Sequence, residues 1–166
     1  MIPIIFSTVT GNGFRLAEAA AKAIPDMNRC GPYNIRYITD VVIDMFDTFI
    51  LTYWCDKGSA DGDTLALLKK MHGKNIILLG SLGAAPDTPH ADHVRKAVGA
   101  AASADNILLG HFLCRGSIDL KRTGKKLREG KMTAEHFEKQ KLSQGHPDRQ
   151  DLADAENAVR KFLEDA

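Results

Sequence analysis

Thr8, Val9, Thr10, Gly11, Asn12 and Gly13 are the residues of this chain best suited to hold a ligand. Two hydroxyls, an amide and two glycines sit between the apolar run Ile2 to Phe6 and a segment rich in Ala. Strand, polar glycine loop and helix, in that order, suit an anion. Backbone N–H groups at a helix N-terminus present positive partial charge, and hydroxyls add donors without adding net charge. The loop is not a triphosphate P-loop, because no lysine follows its glycines. Nor is it a dinucleotide fingerprint, because Gly11-x-Gly13 is not followed by x-x-Gly. The plain alternative is a glycine-rich turn before a helix.

Two further loops carry candidate chemistry. Thr52-Tyr53-Trp54-Cys55-Asp56-Lys57-Gly58 holds the only Trp of the chain. An indole face displaces water from a flat conjugated ring, and offset stacking adds ~0.5–1.5 kcal/mol beyond area burial. The alternative is a Trp that packs in the core or at its rim. Cys55 has no obvious base beside it in sequence and reads as a bystander thiol. The third loop runs from Ser81 through Leu82, Gly83 and Ala84 to Asp87. Its small residues let backbone N–H groups approach a ligand. His90 and His93 lie one helical turn apart, but no third or fourth metal ligand can be nominated, so they read as a solvated first turn. His111 reads as a packed or rim histidine.

The pattern of apolar residues supplies elements to position these loops. Ile2–Phe6 reads as a first strand and residues 13–24 as a helix, with Phe14, Ala17, Ala20, Ala21 and Ile24 on one face. Further strands are expected at 33–38, 48–53, 75–80 and 107–113. Further helices are expected at 61–72, 88–103, 133–142 and 147–163. Continuous runs such as Ile76-Ile77-Leu78-Leu79 indicate strands buried on both faces. The alternation of strand and helix argues for one parallel sheet covered on both sides. In such sheets ligands bind beyond the carboxyl ends of the strands. That rule puts loops 7–13, 52–60 and 81–88 on one rim.

Composition narrows the classes. The 166 residues suffice for one domain, expected over 1–166, and 44% apolar residues argue against disorder. No apolar run approaches the ~20 residues that cross a bilayer, and no secretory signal is visible. Cys30, Cys55 and Cys114 are odd in number and make no C-x-x-C pair, so a reducing cytoplasm is expected. Residues 115–131 carry seven cations against two carboxylates, a net +5 in a chain whose total is +1. This segment reads as a solvated loop or as a docking surface for an acidic partner. No aromatics interleave its charges, which speaks against nucleic acid.

Taken together, the loop Thr8-Val9-Thr10-Gly11-Asn12, Trp54 after the third strand and Gly83 after the fourth resemble the flavodoxin family over about residues 2–114. Gly13 replaces the final hydroxyl residue of the family's phosphate loop. Segments 54–58, 80–84 and 112–116 are similar to short flavodoxin-like proteins of anaerobic bacteria, some of them accessory to bilirubin reduction. The resemblance implies a flavodoxin-like three-layer α/β/α sandwich with a five-stranded parallel sheet of order 2-1-3-4-5. It implies FMN as cofactor, with Thr8 to Gly13 on the phosphate and Trp54 on one ring face. Tyr53, Cys55 and Gly58 would flank that face, and Ser81 to Ala84 would follow the pyrimidine edge. A glycine often follows the family's Trp; here Cys55 takes that place and Gly58 comes three residues later. The third loop offers no Tyr for the outer ring face, only Ala85 and Pro86.

Three functions compete at this level. The first is an FMN electron carrier that serves a partner reductase docking near residues 115–131. The second is an FMN-dependent oxidoreductase acting directly on a small acceptor such as a quinone or tetrapyrrole. The third is a flavin-free interaction domain on the same fold. The sequence speaks against a phosphorylated receiver, because Ser7 and Thr8 stand where its acidic pair would be and the third strand ends in Thr52-Tyr53-Trp54 without its Asp.

Overall fold

The β-branched and apolar runs form a sheet that the helices then cover. The computed structural model describes every residue from Met1 to Ala166. The strands are β1 (Ile2–Phe6), β2 (Arg29–Asn34), β3 (Thr48–Asp56), β4 (Ser59–Ala60), β5 (Asn75–Leu82) and β6 (Ile107–Arg115). The order is β2-β1-β3-β5-β6, all parallel, with β4 antiparallel on β3. The expected path of five parallel strands is present, and the sheet has six strands because of β4.

Alternate residues of β3 and β5 face opposite layers, as the period of two requires. Phe49, Leu51, Ile76 and Leu78 enter one core cluster, with Val94 and Val98 of α4 (Pro89–Ser103) and Leu67 of α3 (Gly62–Leu68). Ile50, Ile77 and Leu79 enter the other, with Leu16 and Ala20 of α1 (Asn12–Ala23) and Val159 of α7 (Arg149–Glu164). The result is the three-layer α/β/α sandwich of a flavodoxin-like fold. A short α2 (Asp40–Met45) precedes β3. The basic segment 115–131 holds a helix, α5 (Leu120–Arg128), where a loop is one expectation, and α6 (Ala134–Lys141) follows it.

Among the strands, β2 and β3 depart furthest from expectation, for local reasons. β2 occupies 29–34 and not 33–38. Gly31-Pro32 reads as a breaker, but Pro is tolerated on an edge strand, where its missing N–H costs no ladder bond. Ile35 to Tyr37 instead form a 3₁₀ turn, capped by the Asn34 side chain, which accepts from the Arg36 N–H. β3 runs on through Trp54, Cys55 and Asp56, which turn back onto β4. Lys57 and Gly58 both have positive φ, 48° and 83°, the combination a tight two-residue hairpin needs.

Tyr53, fully buried, and His111, half-buried, form a pair between β3 and β6. Burial, with Cys55 nearby, pushes the Tyr53 phenol well above its ordinary range, so it keeps its proton. Its hydroxyl lies 2.7 Å from His111 Nε2. Burial, and then the charge of Arg95, lowers His111 from 6.5 to about 4. At neutral pH both the folded and unfolded chains carry it uncharged. As pH falls from about 6.5 toward 4, only the unfolded chain takes up the proton, so folding stability declines; below about 4 the loss levels off. This group alone should cost about 2–3 kcal/mol between pH 7 and pH ~4.5. Urea denaturation at both pH values should show that difference shrinking in His111→Gln. An unchanged difference would mean that His111 titrates normally in the fold.

Candidate functional site

The first loop is built on a buried polar base. Ser7, directly after β1, donates its N–H to Thr52 O at 2.9 Å and its hydroxyl to Asp61 Oδ1 at 2.8 Å. Asp61, 2% exposed, also caps α3, accepting from the Thr64 N–H at 3.2 Å and the Thr64 hydroxyl at 2.9 Å. A buried carboxylate is tolerable only with such partners. Above this base the Thr8 hydroxyl accepts from the N–H groups of Gly11 and Gly13, at 2.9 and 3.3 Å. Gly13 O in turn accepts from the Thr52 hydroxyl at 2.7 Å. A Cβ on Gly13 would lie 2.0 Å from the Ser7 carbonyl oxygen, so α1 starts too close to β1 for any side chain there. Gly13 is therefore a close-packing glycine, and the hydroxyl that the family pattern expects has no room.

A segment distant in sequence crosses this loop. Gly116, directly after β6, donates to Leu82 O at 2.8 Å. The next carbonyl, Ser117 O, accepts from Asn12 Nδ2 at 3.0 Å and from the Thr10 hydroxyl at 3.3 Å. Ser117 is held from behind, its N–H and its hydroxyl both donating to His146 O at 2.7 and 2.6 Å. Asp119 then caps α5 by accepting from Lys121 and Arg122 N–H.

Between loop, strap and β3 lies a cavity of about 430 Å³. Val9, Thr10 and Asn12 line it from the first loop, Trp54 and Cys55 from the end of β3, and Ser81, Leu82 and Gly83 from the end of β5. The strap and α5 supply Ser117, Ile118, Arg122, Thr123 and Lys126. The loops after β1, β3 and β5 thus meet on one rim. Trp54 is half-buried at the cavity wall.

Other candidate residues take other places. Thr8, Gly11 and Gly13 shape the loop from behind without lining the cavity. Tyr53 is not on the rim: it is fully buried and points into the α3/α4 layer, because it is one residue out of phase with Trp54. Gly58 lies in the hairpin turn, packed toward His93, and Ala84 lines a neighbouring groove. Cys55 does reach the cavity, but burial raises its thiol above the ordinary range, which disfavours a thiolate nucleophile.

Arg122, Lys126 and the strap were not among the candidates. The strand-end rule that singled out the first three loops also covers the end of β6, and that was the available signal. The basic charge of 115–131 is in part a wall of this cavity, since Arg122 and Lys126 face it.

A family model described as Flavodoxin domain matches residues 3–160. The chain belongs to the flavodoxin family. It is 30% identical over 172 residues to the flavodoxin-like domain-containing protein BilS of Clostridioides difficile, covering 96% of this chain and 94% of that one. Among solved structures, flavodoxin 2 of Bacillus cereus superposes with a TM-score of 0.63 at 11% identity, covering 99% of both chains. A Fusobacterium nucleatum flavodoxin bound to flavin mononucleotide superposes with a TM-score of 0.57 at 11% identity, covering 98% of this chain and 94% of that one. At such identities the structural likeness speaks for the flavodoxin fold alone. No helix of this flavodoxin-like chain is long and apolar enough to cross a membrane.

Proposed function

We propose that this chain is a single flavodoxin domain that binds FMN non-covalently and carries electrons to a partner reductase in the cytoplasm. The observation that carries the reading is the mixed lining of the 430 Å³ cavity. Thr10 and Asn12 of the first loop and the cations Arg122 and Lys126 line it together with the Trp54 indole and Leu82. A phosphate suits the polar and cationic part of that lining and a flat ring the apolar part. The ring, when bound, supplies the electron-transfer chemistry.

The chain's own residues bind and orient. Of the leading N–H groups of α1, that of Gly13 is taken by the Thr8 hydroxyl and that of Arg15 by Gly11 O, which leaves those of Asn12 and Phe14 to favour an anion. Arg122 and Lys126 add full charges that draw a phosphate in. Asn12 has a second amide proton beyond the one donated to Ser117 O. Thr10 has a single hydroxyl proton, which Ser117 O receives; it reaches a phosphate only by rotating away from the strap. Trp54 and the strap exclude water from the ring face. No general acid or base is required, and the cavity wall brings together no His with its carboxylates.

Titration of the purified chain with FMN should quench flavin fluorescence with a Kd below about 1 μM, an affinity near 8 kcal/mol. Absence of binding at micromolar FMN would end both this reading and the direct-reductase reading. One observation favours the latter: the cavity adjoins an open groove past Gly83 and Ala84, through which a small acceptor could reach the ring. Rapid NAD(P)H oxidation with an added acceptor, by this chain alone, would decide for it.

A further inference from the structure

Between the end of β6 and the start of α7 the chain runs out through α5 and back through α6. The outgoing stem, Arg115 to Ile118, is bonded to the returning one, Leu142 to His146. Arg115 donates from Nη1 to Leu142 O at 3.2 Å. The Ile118 N–H donates to Ser143 Oγ at 3.0 Å, and Gln144 Nε2 donates to Ile118 O at 2.9 Å. With the two bonds from Ser117 to His146 O, these make a clamp on the strap. Ser143 is its centre. It is 0% exposed, accepts from Ile118 and donates its own hydroxyl proton to Gln140 O at 2.7 Å. A buried hydroxyl is tolerable when its donor and acceptor functions are both used in this way.

One side chain anchors the clamp to the body of the protein. His146 Nδ1 lies 2.6 Å from Asp151 Oδ2 in the first turn of α7, and a carboxylate only accepts, so Nδ1 carries the proton. The same oxygen accepts from the Asp148 N–H at 2.8 Å. α7 shares a core cluster with α1, Ala155 and Val159 with Leu16 and Ala20, and α1 starts at the first loop. First loop, α1, α7, clamp and strap therefore form a closed circuit. It closes where Ser117 O accepts from Asn12 and Thr10. Gly116 permits that approach, since a Cβ there would lie 2.6 Å from Asn12 Nδ2 and 2.8 Å from Ser81 Cβ. The orientation of the buried Asn12 amide is thus set by a carbonyl 105 residues away. An amide freed from that carbonyl can flip, and it then offers a cavity anion an oxygen in place of an N–H.

We propose that Ser143 and His146 are positioning residues: through the Ser117 carbonyl they fix the Asn12 amide, and so set the preference of the site for a phosphorylated flavin over riboflavin. Neither residue lines the cavity. The effect is carried by Asn12, because Thr10 must leave the same carbonyl to reach a phosphate. Trp54 and Leu82 are presented by β3 and β5 and do not depend on the clamp. What the clamp governs is therefore the phosphate and not the ring. The inference rests on the FMN reading for the identity of the ligand.

The test is fluorescence titration of the parent, Ser143→Ala, His146→Leu and His146→Asn with FMN and with riboflavin. Ser143→Ala should weaken FMN about fivefold, the size of one net hydrogen bond, and riboflavin by less than about twofold. His146→Leu should do the same, which keeps the test open if Ser143→Ala fails to fold. His146→Asn retains a donor near the Nδ1 position and should bring FMN back to within about twofold of the parent. In an Asn12→Ala chain, the ratio of FMN to riboflavin affinity should no longer respond to Ser143→Ala. Equal weakening of both flavins would make the clamp structural only and overturn the proposal. So would a parent that binds both flavins equally, or FMN affinity unchanged in both Ser143→Ala and His146→Leu. Titration with inorganic phosphate, followed by NMR at the Asn12 side-chain amide, separates this inference from the FMN reading. If the parent takes neither flavin, that reading fails. An Asn12 response at lower phosphate in the parent than in Ser143→Ala would still support the positioning role, and a response identical in both, or absent, would remove it.

Discussion

Gly13→Thr, which installs the residue of the flavodoxin phosphate-loop pattern, should destabilise this chain by about 3 kcal/mol, the upper part of the usual range for overpacking. A Cβ at this position meets the Ser7 carbonyl oxygen at 2.0 Å and the Ser7 carbonyl carbon at 3.1 Å. Both are backbone atoms, and Ser7 is pinned by its bonds to Thr52 and Asp61. A flexible side chain could swing aside; this carbonyl cannot. The start of α1 must therefore move, which breaks the 2.7 Å bond from the Thr52 hydroxyl to Gly13 O and the Gly13 N–H bond to Thr8. The midpoint of urea denaturation should fall with little change in slope, and FMN affinity should fall with it. Gly13→Ala should show most of the same loss, because Cβ alone makes the clash. A Gly13→Thr chain as stable as its parent and tighter for FMN would show that the loop tolerates the family residue after all.

Trp54→Ala should weaken FMN binding roughly 30- to 150-fold, corresponding to about 2–3 kcal/mol. The indole stands at the end of β3, held by the pairing of Cys55 and Asp56 with β4, so it is presented by a strand and not by a free loop. Preorganisation of that kind spares the entropy of ordering a side chain upon binding. The proposed midpoint potential of the bound flavin should also rise in the variant, because an apolar face opposes the charge gained on reduction, whereas water supports it. Affinity by fluorescence quenching and potential by redox titration check the two claims separately. Unchanged values for both would place Trp54 as a packing residue of the rim.

The direction of these effects follows from features that differ in how visible they are in one dimension. The loop 8–13 is local: strand end, glycines and helix start occupy consecutive residues, and the backbone chemistry is implied by their order. Trp54 is local in the same sense, since a buried apolar run places it at a strand end. The layers of the core follow from periods of two and 3.6 in the apolar residues. The neighbours of Gly13 are not local. Its glycine is demanded by Ser7 and by Thr52, which lies 39 residues away in the Thr52–Gly13 hydrogen bond. A sequence comparison sees only a missing hydroxyl.

Three residue placements show the limit of strand-by-strand reading. Tyr53 and Trp54 are adjacent and both aromatic, yet successive residues of a strand face opposite sides, so one is core and the other is site. Gly58 is a turn residue because Lys57 shares its left-handed conformation, and that pairing depends on β3 running three residues past Tyr53. Arg122 and Lys126 look like surface charge on a glycine-containing segment until α5 forms behind the Ser117 strap.

By itself the sequence of this protein determined the alternation of strands and helices, the parallel sheet, the family and the three loops that share one rim. Each depends on residues close in the chain, or on a periodicity that any window reveals. Only the tertiary structure decided that Ser117 bridges Thr10 and Asn12, separations of 107 and 105 residues. It alone brought the turn from Ser143 to His146 back onto Ser117 and Ile118, across separations of 25 to 29 residues. Such contacts come from the crossing of elements in space, where the closure of long loops, and no local preference, selects the neighbours.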